Sequence, residues 1–190
     1  MPWKNGAGFT TELMVEPASA TLATGFLWRL SMAAVATSGP FSRFPGLDRT
    51  LLLLEGQGLR VDHEGHGSSL LAGPLEACAF PGEWATQGTL VDGPCLDFNV
   101  MSDRRAVRHE VSILHPGPQG FHLPQGPVVL VFCAKGRVTF PALEVTLEAR
   151  NLLRLDARCA DGVVLEPDTA LIVVAIHPVS TSEEPRCAPF

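Results

Sequence analysis

Phe26–Ala34 reads FLWRLSMAA, and its alternation decides the fold. In an extended chain, Phe26, Trp28, Leu30 and Met32 share one face and Leu27, Arg29, Ser31 and Ala33 the other, because successive side chains of a strand point to opposite sides. One face packs, and the other carries polar chemistry. A second stretch, Cys95–Met101 (CLDFNVM), places Leu96, Phe98 and Val100 together and sets Cys95, Asp97, Asn99 and Met101 opposite. Asp97 and Asn99 then point the same way.

Arg49–Leu54, Gly58–Val61 and Ala77–Phe80 also have the length of strands and are bounded by Gly, Pro or Asp. The texture continues over Ala106–Ile113, Val128–Ala134, Val138–Phe140, Leu143–Leu147, Leu152–Asp156, Val163–Glu166 and Ala170–His177. No long stretch keeps a helical period, and 18 Gly and 16 Pro are spread along the 190 residues, so short elements joined by turns are expected. LLLLEGQGL (Leu51–Leu59) and VFCAKGRVT (Val131–Thr139) align at an offset of 80 as an apolar run, a charged residue, Gly and a further strand. This reads as duplication of a β unit. The expected fold is all-β, with two tandem antiparallel β-sandwich or jelly-roll units and less than about a tenth of residues in helix. Residues 1–105 would form the first barrel and 106–178 the second, with the charged run SDRRAVR (Ser102–Arg108) at the junction and 179–190 as a tail with little to bury.

Composition narrows the function. Hydrophobic residues at 46% and charged residues at 18% exclude a disordered chain, and the apolar runs are too short to span a bilayer. Fourteen basic residues against 20 acidic ones give a net charge of −6 without a basic stripe, which argues against nucleic acid as a partner. The start, Met1-Pro2-Trp3-Lys4-Asn5-Gly6, lacks the charged and apolar regions of a secretory signal, so a cytoplasmic location is expected. Cys78, Cys95, Cys133, Cys159 and Cys187 make no Cys-x-x-Cys pair, and there is no His-x-His. His63-Glu64-Gly65-His66 reads as a solvated hairpin tip, and His109, His115, His122 and His177 as surface or strand-end residues. No metal and no other cofactor is expected. Neither a phosphate loop nor a Gly-x-Ser-x-Gly elbow occurs.

Two Gly- and Pro-rich blocks remain, PWKNGAGFTTEL (Pro2–Leu13) and GPFSRFPGLDRT (Gly39–Thr50). Asn5-Gly6 and Ala7-Gly8 allow a turn between strands or close approach of a ligand, and aromatic residues beside Arg make recognition surfaces for flat or anionic groups. Together with WRLSMA (Trp28–Ala33), LLLLEGQGL (Leu51–Leu59) and GPCLDFNVM (Gly93–Met101), these blocks resemble the HutD family, which includes the Ves proteins, over about the first 100 residues. The family's usual NGGG stands here as NGAG, with Ala7 replacing Gly. The resemblance implies a cupin-type bicupin linked to bacterial histidine utilisation in a regulatory role, with no established reaction.

Polar strand faces and resemblance meet in the first barrel, where barrel mouths commonly hold small molecules. The candidate ligand-binding set is Trp3, Lys4, Asn5, Arg29, Ser31, Phe41, Phe44, Arg49, Asp97 and Asn99. Lys4, Arg29 and Arg49 would hold a carboxylate, Arg bidentately; Asp97 and Asn99 would read a ligand donor such as an imidazole, formimino or formamido N–H; Trp3, Phe41 and Phe44 would be apolar walls. Three cations against Asp97 give a local balance of about +2. The expected function is sensing a carboxylate of histidine degradation, such as urocanate or a formylated or formiminated glutamate, to regulate histidine utilisation. No residue is assigned as catalytic. The rivals are a metal-independent isomerase or hydrolase with Asp97 or Glu12 as general base, and a ligand-free protein-interaction bicupin. Assembly as a homodimer is left open.

Overall fold

In the computed structural model, residues 8–117, 122–155 and 162–179 are described. Trp3, Lys4, Asn5, Cys159, Cys187 and nearly all of the expected tail lie outside them. The first half contains β1 (Gly8–Glu16), β2 (Trp28–Val35), β3 (Gly39–Pro40), β4 (Leu47–Glu55), β5 (Leu59–His63), β6 (Gly67–Leu71), β7 (Ala77–Pro81), β8 (Thr86–Leu90) and β9 (Cys95–Asp103). The second contains β10 (Val107–Leu114), β11 (Val128–Lys135), β12 (Arg137–Phe140), β13 (Val145–Glu148), β14 (Leu152–Leu155), β15 (Val164–Leu165) and β16 (Ala170–Pro178). A 3-10 turn at Pro141–Leu143 is the one helical element among the described residues, so the fold is all-β. No helix there is long and apolar enough to cross a membrane. Four strands escape a reading of apolar alternation. β1 is a half-exposed edge with a bulge between Glu12 and Met14, β3 has two residues, and β6 (GSSLL) and β8 (TQGTL) are mainly polar strands recruited by β5 between them.

The sheets run in the orders β1-β2-β9-β4-β7, β3-β8-β5-β6, β10-β16-β11-β14 and β13-β12-β15. The halves therefore repeat one plan: β2-β9-β4-β7 matches β10-β16-β11-β14, and β8-β5-β6 matches β15-β12-β13, an order compatible with two tandem units. The offset seen in the sequence recurs in the backbone. A register shift falls between Leu53 and Glu55 on β4 and again between Cys133 and Lys135 on β11. Gly56 and Gly136 follow, at φ +117° and +77°, where a side chain would be strained and its Cβ would lie 2.7 Å from Cys95 Cβ or Thr169 Oγ1 respectively.

Alternation then sorts the side chains into layers. Trp28, Leu30, Leu52, Phe98 and Val100 meet Leu130, Phe132, Ile172, Val174 and Ile176, so the two larger sheets pack face to face through one core. Phe98 and Phe132 touch across it with ring centroids 4.7 Å apart. A second core joins the first large sheet to β5 and β6 through Leu51, Leu53, Leu59, Val61 and Leu71, and a third fills the other half around Val129, Val131, Phe140 and Val173. Phe26 departs from the expected face: it precedes β2 and packs with Val15, Ala20 and Met101. His109 is no surface residue either. From β10 it reaches Thr50 Oγ1 at 2.8 Å and Ser102 Oγ at 2.7 Å, linking the large sheets, and burial lowers its pKa.

Because the halves share a core, they should unfold together. Phe98→Ala is expected to cost about 3–5 kcal/mol, the range for emptying a buried aromatic site, in one calorimetric transition. Two separate transitions, with only one shifted, would show independent halves.

Candidate functional site

β2, β9 and β4 lie side by side. Arg29 and Arg49 both pair with Met101, Ser31 and Leu51 with Asn99, and Ala33 and Leu53 with Asp97. With strands about 4.8 Å apart, the two arginine backbones stand roughly 10 Å apart across Met101. Since Trp28, Leu30, Phe98 and Val100 face the other half, Arg29, Ser31, Arg49, Asp97 and Asn99 face into the first sandwich. Their burial is nearly complete: Arg29 is 3% exposed, Arg49 6%, Asp97 2% and Asn99 5%.

Glu12, on the neighbouring edge strand, accepts from Arg29 Nε at 2.7 Å, and Ser31 Oγ accepts from Nη1 at 3.1 Å. Arg49 Nη2 donates to Asn99 Oδ1 at 2.8 Å, and Asn99 Nδ2 donates in turn to Asp97 Oδ1. Both groups of the Asn99 amide are thus taken up within the network. Arg49 Nη1 reaches the Ser42 carbonyl at 3.4 Å. Two buried nitrogens are left over: Arg29 Nη2 and Arg49 Nε have no hydrogen-bond partner among the described residues. A third such atom, His177 Nε2, belongs to the other half.

Aromatic rings surround Arg49, with Cζ 5.8 Å from the Phe41 ring, 5.5 Å from Phe44 and 5.0 Å from Phe80, within cation–π range. Glycines set two of these walls. A Cβ on Gly88 would lie 2.6 Å from the Phe41 ring, and one on Gly82 would lie 2.6 Å from the Phe44 carbonyl oxygen. Arg104 clasps the loop that carries them, donating to Asp48, the Leu47 carbonyl and both carboxylate oxygens of Glu83.

Burial governs the electrostatics. It pushes the Asp97 carboxyl up to about 7, against the pull of Arg49, the Ala33 N–H and Asn99. It lowers Arg49 to about 10 despite Asp97, with Arg29 adding repulsion. Attraction within this pair does not offset the loss of water. Burial also raises the thiols of Cys78 and Cys95 to about 11, so neither is a ready nucleophile.

Arg29, Ser31, Phe41, Phe44, Arg49, Asp97 and Asn99 therefore come together, while Trp3, Lys4 and Asn5 lie outside the described residues. The charge balance of about +2 needs correction, because Glu12 pairs with Arg29. Phe80 and His63 are additions. His63, expected at a solvated hairpin tip, is 7% exposed, with Nδ1 3.0 Å from Thr86 Oγ1 and its ring against Phe80 and Trp84. The alternation Leu59, Val61, His63 carried that signal. Among the described residues, no three His, Cys, Asp or Glu side chains are placed to hold a metal. A groove of about 550 Å³ lies elsewhere, between the halves, bordered by Glu55, Lys135 and Asp168. Those charges are exposed and Glu55 is bonded to Arg150, so the groove lacks the buried, unsatisfied donors of the arginine site.

The second half is an internal control. At the offset of 80, Arg49 becomes Val129, and the pairs Leu51–Asn99 and Leu53–Asp97 become Val131–Val173 and Cys133–Leu171. The same strand plan closes there with apolar residues. The polar set is thus not needed to build a sandwich.

The strand plan is a fold shared with a cupin structure: a cupin 2 conserved barrel domain protein from Leptotrichia buccalis superposes with TM-score 0.53 over 93% of this chain and 91% of that one, at 9% identity. The HutD family model matches residues 1–173, and the chain belongs to the HutD family. HutD from Pseudomonas fluorescens SBW25, solved in a formate condition, is 29% identical, with TM-score 0.76 over 95% of this chain and 94% of that one. An uncharacterized 21.2 kDa protein in the hutC 3′ region of Pseudomonas putida is 34% identical over 155 residues, 82% of this chain and 76% of the relative.

Asp97 gives the fold a pH signature. Its carboxyl holds a proton to about 7 when folded but releases it near 3.8 when unfolded, so this contribution to stability is full below the lower value and lost as pH rises through about 7. Melting temperature should fall less between pH 5 and 8 in Asp97→Asn than in the parent. Parallel curves would place the titration elsewhere.

Proposed function

We propose that this HutD-family protein binds a small carboxylate inside its first sandwich and thereby senses an intermediate of histidine degradation, regulating histidine utilisation. The observation that carries this reading is the pair of buried arginines, each keeping a guanidinium nitrogen without a partner among the described residues. A buried donor left unpaired costs about 1–3 kcal/mol, and an anion seated between Arg29 and Arg49 relieves both. The apolar counterpart in the second half argues that the first half retains this cost for binding. Urocanate and formylated or formiminated glutamate combine a carboxylate with an N–H or imidazole, and the names of the relatives point to the histidine-utilisation context. No nucleic acid or membrane partner belongs to this reading. The protein works in the cytoplasm, alone or as a homodimer.

A second reading rests on Asp97. A buried carboxyl raised to about 7 is poised to take and return a proton at neutral pH, as a general base of a metal-independent isomerase or hydrolase does. Conversion of a bound carboxylate, followed by NMR, separates enzyme from sensor.

Calorimetry with small carboxylates tests the site. Arg29→Ala and Arg49→Ala should each weaken binding about ten- to a hundredfold in protein that still melts cooperatively, from the usual worth of a charged hydrogen bond. If a carboxylate binds the parent and neither substitution changes its affinity, the site lies elsewhere. Affinity should also rise as pH falls through about 7, because protonation of Asp97 removes the charge facing Arg49, and this dependence should be lost in Asp97→Asn.

A further inference from the structure

The contacts of Thr86 favour one tautomer of His63. Its hydroxyl lies 3.3 Å from the Trp84 carbonyl, to which it can only donate, and 3.0 Å from His63 Nδ1. When its one proton goes to Trp84, Thr86 Oγ1 accepts from His63, the arrangement in which Nδ1 carries the ring proton and Nε2 a bare lone pair. Burial, His66 and the positive charge of Arg49 lower the pKa of the ring against the opposing pull of Asp62. Nε2 makes no hydrogen bond among the described residues, and it is not one of the atoms sealed from water without a partner.

His63 also lies close to the arginine site. It stands on β5, on the same face as Leu59 and Val61, which pack into the core opposite Leu51 and Leu53. Phe80 touches both groups. Its ring centroid is 4.5 Å from that of His63 and 5.0 Å from Arg49 Cζ, which sets the two less than about 10 Å apart across the sandwich, the usual gap between facing sheets. Trp84 closes on the His63 ring edge-on at 5.2 Å. Arg49 on one sheet and His63 on the other thus stand within the span of one small molecule, on either side of Phe80.

We propose that His63 is the specificity residue of this site: its Nε2 accepts a hydrogen bond from an N–H or O–H of the same small molecule whose carboxylate is held by Arg49. The assignment rests on the carboxylate-binding reading above and narrows it to carboxylates that carry a donor a few bonds away. Such a site discriminates against a matched ligand with no proton to offer, because that ligand displaces water from the acceptor without replacing its hydrogen bond.

The test compares N-acetylglycine with acetoxyacetate, which has the same carboxylate and nearly the same shape but an ester oxygen where the N–H stood. Calorimetry on the parent should show at least about a tenfold preference for N-acetylglycine. His63→Phe, which keeps an aromatic ring against Phe80, should bring the ratio close to one while acetoxyacetate affinity is retained. Nitrogen-15 imidazole spectra of the unaltered protein supply a readout independent of any variant's folding. His63 should appear as the Nδ1–H tautomer, with the Nε2 signal moving on addition of N-acetylglycine. A preference that survives His63→Phe, no preference in the parent, or an Nε2–H tautomer overturns the role of His63. Failure of both probes to bind the parent overturns the carboxylate site itself.

Discussion

Burial of two guanidiniums inside a β sandwich is the constraint from which the rest of the first half follows. Charge taken out of water must be met by partners, and each surrounding element supplies one. The edge strand β1 brings Glu12, β9 brings the Asn99–Asp97 pair, and the Gly39–Thr50 segment folds two phenylalanines over Arg49. Glycines at 82 and 88 exist as glycines because the Phe44 backbone and the Phe41 ring occupy the space of a side chain. The supply stops short of complete satisfaction, leaving Arg29 Nη2 and Arg49 Nε without a partner among the described residues, and the proposed anion would meet that shortfall.

Comparing the halves separates what the fold needs from what the site needs. Strand order, bulge position and the glycine after the bulge are common to both, so they belong to the folding plan. Arg49, Asn99 and Asp97 against Val129, Val173 and Leu171 are where the halves part. Replacing a buried polar group with a well-packed apolar one is commonly neutral or stabilising, so a unit that keeps the polar set forgoes stability for another purpose. The apolar half braces the polar one through the core around Phe98 and Phe132.

Much of this was legible in the chain. FLWRLSMAA and CLDFNVM announce a packed face and a polar face, and the offset of 80 marks the repeat, because alternation and duplication are local patterns. What escaped depends on distant partners. Glu12 meets Arg29 only through pairing of β1 with β2, and the bulge in β1 breaks the alternation there. His63 ends a strand just before an exposed turn, so neighbours in sequence suggest solvent while Phe80 and Trp84 bury it. His109 likewise depends on Thr50 and Ser102 from two other strands. Polar strands such as β6 and β8 form because β5 offers both edges, not because their own residues demand it.

The most direct test of an arginine-lined anion site is a titration of the guanidinium N–H resonances with formate, the smallest carboxylate. Arg49 Nε–H, without a partner among the described residues, should shift saturably and become protected from solvent exchange as formate binds, while exposed arginines such as Arg60 stay unmoved. Saturable formate binding that leaves the Arg29 and Arg49 signals unchanged would contradict the account.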